Sequence, residues 1–327
     1  IVIARYGGNY RGYKAKFAEE AGAAGLLIYT DPQDSGWGRG LPWPEGGYAN
    51  ESSIQRGSII TLPWAGDPLT PGTPATKDAA RLDPDTIALP KIPVQCIGWG
   101  SAREILSRMR GTPVHSQWQG GLPFRYRIEQ GEAPFKVRMT VKQERAVRRT
   151  ANVVGVVKGS TYPDEWVVVG CHRDAWTFGA GDPHAGTIIL YAMAEAFAKQ
   201  ARAGNPPKRT ILFANWAAEE MGLLGSTEWC EAHATQLGKN AVAYLNLDMA
   251  AMGTKLRFSG DAHLKGLIAS VQRDVSAGKV APGSDDVKLG VMGGGSDHVG
   301  FYLHLGVPCF AIGAGGAKGV SYHSAHD

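Results

Sequence analysis

Six residues of the chain could bind cations or move protons as one group: His172, Asp182, Glu219, Glu220, Asp248 and His323. The apolar run 167–169 leads into His172-Arg173-Asp174, the run 212–215 is followed by Glu219-Glu220, and the run 244–247 ends in Asp248. Asp182 lies in the loop 179–186, and His323 in Tyr322-His323-Ser324. In open α/β sheets ligands bind past the carboxyl ends of the strands, so these positions are where a site forms. Histidine nitrogen with carboxylate oxygen is a zinc donor set, and two ions about 3.5–4 Å apart need a carboxylate shared between them. Asp182, on a tight turn, suits that bridge, with His172 and Asp248 serving one ion and His323 and Glu220 the other. Glu219 stands beside a ligand without being one, the place for a general base that takes a proton from an attacking water. Singly, a core histidine, an acidic helix start or a capping aspartate is commoner than a ligand. The order His, Asp, Glu-Glu, Asp, His along one chain is what points to a metal centre.

The elements that must position these residues divide the chain near 146. From 147 onward strands and helices alternate, the pattern of a doubly wound α/β sheet. Strands are expected at 152–157, 166–169, 210–215, 242–247 and 309–312, and helices at 187–200, 222–234, 263–275 and 297–305. The segment 1–146 is mixed. A strand at 1–4, a helix at 13–21 and a strand at 26–29 make a βαβ start, followed by a long Gly- and Pro-rich stretch over 33–91. A strand at 92–97 and a helix at 101–109 come next. Over 135–142, Val137, Met139 and Val141 alternate with Lys136, Arg138 and Thr140, which predicts a half-buried strand.

Composition narrows the partners. The 327 residues, 43% of them hydrophobic, suffice for one or two cores. A net charge of +4 with no long like-charge run offers no nucleic-acid footprint. No apolar run reaches the roughly 18 residues that would span a bilayer. Cys96, Cys171, Cys230 and Cys309 form no CxxC pair and are expected to be free core thiols. The chain opens directly in IVIAR and closes at Asp327 without a final element, so both ends are expected to be cut.

Several motifs resemble a known family: Gly170-Cys171-His172-Arg173-Asp174, the stretch 178–186, Ala218-Glu219-Glu220-Met221-Gly222-Leu223-Leu224-Gly225-Ser226-Thr227-Glu228-Trp229, and Tyr322-His323-Ser324. They are similar to the zinc exopeptidases that include glutamate carboxypeptidase and, as an inactive relative, the transferrin receptor ectodomain. The resemblance extends through 1–12, Gln55-Arg56-Gly57 and 66–72, which look like that family's protease-associated domain. It implies a smaller β-rich protease-associated (apical) domain over 1–146, N-terminally incomplete, and a dizinc peptidase domain over 147–327, C-terminally incomplete, with a mixed sheet of zinc exopeptidase type. It also implies two zinc ions on the five ligands, Glu219 as base, and Tyr322 as a donor to the developing oxyanion. Arg11 would grip a substrate carboxylate, with Ser58, Arg257 and Ser296 also contacting substrate. Thr70, Thr73, Glu228 and Glu231 match positions that hold a structural calcium ion, an all-oxygen set suited to a hard cation. A peptide substrate, a homodimer for the full-length parent, and an extracellular or periplasmic setting are further implications.

The chain also departs from the family. Ser58 stands where the glutamate-selective member has asparagine, and Ala311-Ile312-Gly313 where it has arginines, of which only Arg257 remains. Without those donors an acidic side chain would be poorly compensated, so strong acidic selectivity is not expected. Ala185 and Ala217 replace a serine and an aspartate that are commoner beside the metal ligands, while His184 and His298 match no ligand position. Three readings follow. They are a carboxypeptidase favoured by Arg11, an aminopeptidase of the same family, and a non-catalytic binding protein like the transferrin receptor. Retention of all five ligands together with Glu219 argues against the last.

Overall fold

The computed structural model describes residues 1–129, 135–277, 288–319 and 321–327. The N-terminal half begins β1 (Val2–Arg5), α1 (Arg11–Glu20), β2 (Leu26–Tyr29) and a single turn α2 (Pro32–Ser35). After the long irregular stretch come β3 (Val94–Ile97), α3 (Trp99–Leu106) and a short antiparallel pair, β4 (Thr112–Pro113) with β5 (Arg127–Ile128). β2 lies between β1 and β3, parallel to both, and all four of its residues are buried. An unbroken Leu-Leu-Ile-Tyr run suits a strand covered on both faces. α1 turns Gly12, Ala15 and Ala18 inward, so the helix sits close to the sheet.

This half is less rich in strand than expected. Its helices of ten, four and eight residues outweigh three four-residue strands and a two-residue pair. The strand expected over 135–142 does not form. Phe135, Val137 and Met139 are half-buried while Lys136, Arg138 and Thr140 are exposed, but Val141, expected on the buried face, is exposed as well, and the segment joins no ladder. A strand is defined by its neighbours' hydrogen bonds, and periodicity alone does not supply them.

The C-terminal half is built on a seven-stranded mixed sheet. In chain order its elements are β6 (Val153–Val157), β7 (Tyr162–His172), α4 (His184–Arg202), β8 (Arg209–Trp216), α5 (Leu224–Ala232), α6 (Ala234–Asn240), β9 (Ala241–Asn246), β10 (Gly253–Gly260), α7 (Lys265–Ala277), β11 (Leu289–Gly290) and β12 (Cys309–Gly316). The strands lie in the order β11-β10-β12-β9-β7-β8-β6. β8, β7, β9 and β12 run parallel, and β6 and β10 are antiparallel to their neighbours β8 and β12.

Both faces of this sheet are covered. On one, Val168, Leu212, Trp216 and Tyr244 pack with Cys230, Leu237 and Phe301; on the other, Val169, Phe213 and Leu247 pack with Leu190 of α4. Adjacent residues of one strand serving opposite cores make the sheet doubly wound, as expected. The helix expected over 222–234 becomes α5 and α6, and that over 297–305 contains a five-residue π turn, Gly300–His304. β10 lies outside the expected elements, although half-buried Leu256 and Phe258 flank exposed Arg257. All four cysteines are free, three of them buried. Among the described residues no helix is long and apolar enough to cross a membrane.

Candidate metal centre

Strand register assembles the site. Gly170 of β7 pairs with Asn246 of β9, and His172 with Trp216 of β8. Two residues beyond Asn246, Asp248 draws level with His172, and three beyond Trp216 comes Glu219. Asp182 arrives from the loop before α4. Gly186, in the first turn of that helix, lets it close on β9, because a Cβ there would collide with the Leu247 carbonyl. His323 reaches the same place from the far end of the chain, in a left-handed backbone conformation (φ 58°).

Asp182 stands between the two histidines. Its Oδ1 lies 3.1 Å from His172 Nε2 and its Oδ2 3.1 Å from His323 Nε2. Asp248 Oδ1 lies 3.3 Å from His172 Nε2, and Glu220 Oε1 3.2 Å from His323 Nε2. Two three-residue groups share one carboxylate: His172, Asp182 and Asp248, and Asp182, Glu220 and His323, with donor atoms within 4.8 Å of one another in each. This is the pairing read from the sequence.

The histidine tautomers show what the cluster suits. Nδ1 of His172 lies 2.9 Å from the Asp174 carbonyl and Nδ1 of His323 lies 3.0 Å from the Arg56 carbonyl. A carbonyl only accepts, so both Nδ1 atoms carry hydrogen and, in a neutral ring, each Nε2 turns a lone pair on carboxylate oxygens. Lone pair against lone pair requires a cation between them. Without a metal that cation is a proton. Burial alone would lower both imidazole pKa values, but the hydrogen bonds from neighbouring carboxylates override it, raising His172 well above its ordinary value and His323 to about 9. Burial would raise Asp182, yet its two histidine partners hold it well below the usual carboxylate range. Two divalent ions would offset the carboxylates of Asp182, Glu220 and Asp248 and fit the donor types, and the Nδ1 contacts are the backbone support that zinc-binding histidines take. The residues present therefore fit zinc.

Glu219 belongs to neither group. It is buried, its Oε2 is 3.9 Å from His172 Nε2, and burial raises its pKa well above the usual carboxyl value. Asp174 holds it in place: Oδ1 accepts the Glu219 amide at 3.0 Å and Oδ2 the Glu220 amide at 3.1 Å. Asp174 lies in a motif legible in the sequence but without a role assigned from it, although its spacing two residues past a strand-end histidine is a usable signal. Asp248 is held by a buried hydrogen-bonded chain: Trp216 Nε1 donates to Tyr244 Oη, Tyr244 to Asn246, Asn246 to Ser296, and Ser296 Oγ to Asp248 Oδ2 at 2.8 Å. The Ser296 hydroxyl, expected to contact substrate, is the donor that ends this chain on Asp248.

Other expected residues fall at varying distances from this centre. Tyr322 stacks on the His323 ring at 3.6 Å. Burial first, and then the Asp182 carboxylate, raises its phenol, which stays a neutral donor. Arg11 Nε donates to the Ser58 carbonyl at 2.8 Å, and a Cβ at Gly57 would strike that guanidinium. Ser58 offers Arg11 its carbonyl, while its hydroxyl accepts the Ile60 amide at 3.3 Å. Arg257 is exposed on β10 opposite Gly313, with no hydrogen bond or ion pair to a site residue among the described residues. His184 and His298 bond the carbonyls of Phe178 and Gly293 and stand outside both ligand groups.

Glu228 and Glu231 of the C-terminal half take hydrogen bonds from the loop that also carries Thr70 and Thr73. Glu228 accepts the amides of Asp67 (2.7 Å) and Ala75 (2.5 Å), and Glu231 accepts Trp64 Nε1 and the Gly72 amide, both at 2.8 Å. Thr73 N–H donates to the Thr70 carbonyl. Thr70 Oγ1 and Glu231 Oε2 are buried without a partner, and burial raises Glu228 to about 7.

The chain is similar in sequence and in fold to several known proteins. The chain is 36% identical to aminopeptidase NAALADL1 of Mus musculus, over 94% of this chain and 45% of that protein. It is 39% identical to a probable glutamate carboxypeptidase of Arthroderma benhamiae, over 100% of this chain and 48% of that protein. The chain thus spans about half the length of the curated relatives it matches. In fold it resembles a peptidase M28 precursor from Shewanella amazonensis (TM-score 0.56, 18% identity, 99% of this chain and 62% of that one). A zinc aminopeptidase from Bacillus subtilis gives TM-score 0.54 at 18% identity, over 99% and 63% of the two chains. Residues 152–327 match peptidase family M28, and the chain belongs to that family.

Proposed function

We propose that the chain carries the dizinc centre of an exopeptidase that hydrolyses a terminal peptide bond, without strong selectivity for acidic residues. The observation that carries this reading is Asp182, one oxygen toward each histidine and each histidine backed by a further carboxylate. His172, Asp182 and Asp248 would hold one zinc ion, and Asp182, Glu220 and His323 the other. When bound, zinc supplies a Lewis acid that polarises the scissile carbonyl and acidifies water. Glu219 takes the proton of the attacking water and returns it to the leaving amine. Tyr322 donates its O–H to the oxygen on which charge develops. Arg11 positions the peptide by its terminal carboxylate, a group that suits a guanidinium fork, and this favours carboxypeptidase over aminopeptidase action. Residues 1–146 would form the apical domain that brings Arg11 to the peptidase domain 147–327, with a structural calcium ion on Thr70, Thr73, Glu228 and Glu231 joining the two.

The test is metal analysis together with hydrolysis of peptides blocked at one end or the other. About two zinc ions per chain and loss of turnover in Glu219→Gln with zinc retained support the reading. Absence of zinc from the wild type would sink it. Cleavage of N-blocked but not C-amidated peptides supports carboxypeptidase action, and the reverse pattern assigns an aminopeptidase.

A further inference from the structure

Asp327 joins the two loops that bring Asp182 and His323 together. Its Oδ1 accepts the amide of Gly181, the residue before Asp182, at 2.8 Å, and its Oδ2 accepts the amide of His323 itself at 3.1 Å. One carboxylate thus fixes the backbone beside the shared ligand and that of a terminal ligand 141 residues away. The turn carrying Asp327 is itself secured. Ser324 is buried, its carbonyl accepts the Thr177 hydroxyl and the Asp327 amide, and its Oγ accepts the His326 amide. His323 needs such support, because its left-handed backbone is disfavoured for a residue with a Cβ and persists only where neighbours hold it.

We infer that Asp327 is a positioning residue of the metal centre, setting the separation of Asp182 and His323. The inference rests on the dizinc reading proposed above. Bonds from charged carboxylate to amide are short and directional, so one side chain accepting from both loops couples their positions. Asp182 presents one oxygen to each histidine, and a small shift of the His323 loop would take Nε2 away from Oδ2 while leaving Oδ1 on His172. Loss of Asp327 therefore weakens the ion held by Asp182, Glu220 and His323 more than the ion held by His172, Asp182 and Asp248.

The experiment is calorimetric zinc titration of wild type, Asp327→Asn and Asp327→Glu, with thermal midpoints recorded for each protein with and without zinc. An asparagine can accept only one of the two amides, whereas glutamate keeps both acceptors on a longer arm. Asp327→Asn is expected to weaken one of two zinc sites about ten- to hundredfold and to lower the midpoint mainly when zinc is present. Asp327→Glu is expected to recover some of that affinity. Two sites of wild-type affinity in Asp327→Asn would overturn the inference while leaving the dizinc reading intact. Equal loss of midpoint with and without zinc would also overturn it, by showing a merely structural role. No zinc in the wild type would overturn both.

Discussion

His323 and Arg56, 267 positions apart, are joined by two hydrogen bonds that use the Arg56 main chain: the Arg56 amide donates to the His323 carbonyl at 3.1 Å, and His323 Nδ1 donates to the Arg56 carbonyl at 3.0 Å. The second bond sets the tautomer that turns Nε2 toward Asp182 and Glu220. A ligand of the C-terminal half is therefore held by main chain of the N-terminal half.

Since Arg56 contributes only backbone atoms to this link, its side chain should be dispensable for it. Arg56→Ala is expected to bind zinc as the wild type does. Arg56→Pro, which removes the amide, is expected to lose about tenfold or more in affinity. Calorimetric titration of the two variants checks the contrast.

Asp174 accepts two amides of the turn that carries the base and a ligand. Asp174→Ala leaves both without their acceptor, at about 1–3 kcal/mol for each amide that water does not reach. Reduced stability in urea and a fall in kcat are expected, with Asp174→Asn between wild type and alanine. Unfolding curves and steady-state rates on the same preparations decide it.

The metal-free protein should depend on pH through His323. Its folded pKa of about 9 lies above the ordinary histidine value of 6.5. A raised histidine contributes stability that is fully present below the unfolded pKa and lost as pH rises through the folded one. Metal-free protein should therefore lose stability between about pH 6.5 and 9, and His323→Gln should flatten that stretch of the profile. Zinc displaces the same proton, so binding at pH 7 should release protons, read as heats that vary with the buffer's ionisation enthalpy.

Glu228 gives a second pH dependence. Its folded pKa of about 7, raised by burial, exceeds the ordinary 4.5, so ionisation opposes the folded state. Stability from this group is full below about pH 4.5 and is lost as pH rises through about 7. Without calcium, wild type should lose more stability over that range than Glu228→Gln. Added calcium should raise the wild-type thermal midpoint more at pH 8 than at pH 5, because only the carboxylate binds a hard cation. Scanning calorimetry at the two pH values is the check.

The candidate donors are legible in the sequence because each is a local event. Valine-rich β7 ends in His172, the run of β8 is followed by Glu219 and Glu220, and β9 leads to Asp248. A strand's apolar pattern and the polar residue at its end are adjacent along the chain. Ser296 shows the limit, because its hydroxyl faces Asp248 and not an open pocket. Which way a hydroxyl turns depends on a chain of buried donors running back to Trp216, and no local pattern encodes that chain.

By itself the sequence determined the doubly wound sheet and singled out six polar residues at its strand ends and loops, because hydrophobic periodicity and strand-end residue types are properties of short segments. Only the tertiary structure decided that Arg56 and Asp327 hold those donors, since Arg56 acts through its own backbone and Asp327 on backbone amides, all brought near by folding. Every residue has such groups, so they leave no mark in composition or spacing. It also decided that 135–142 stays outside the sheet, because alternation selects a face whereas a strand needs a neighbour to bond.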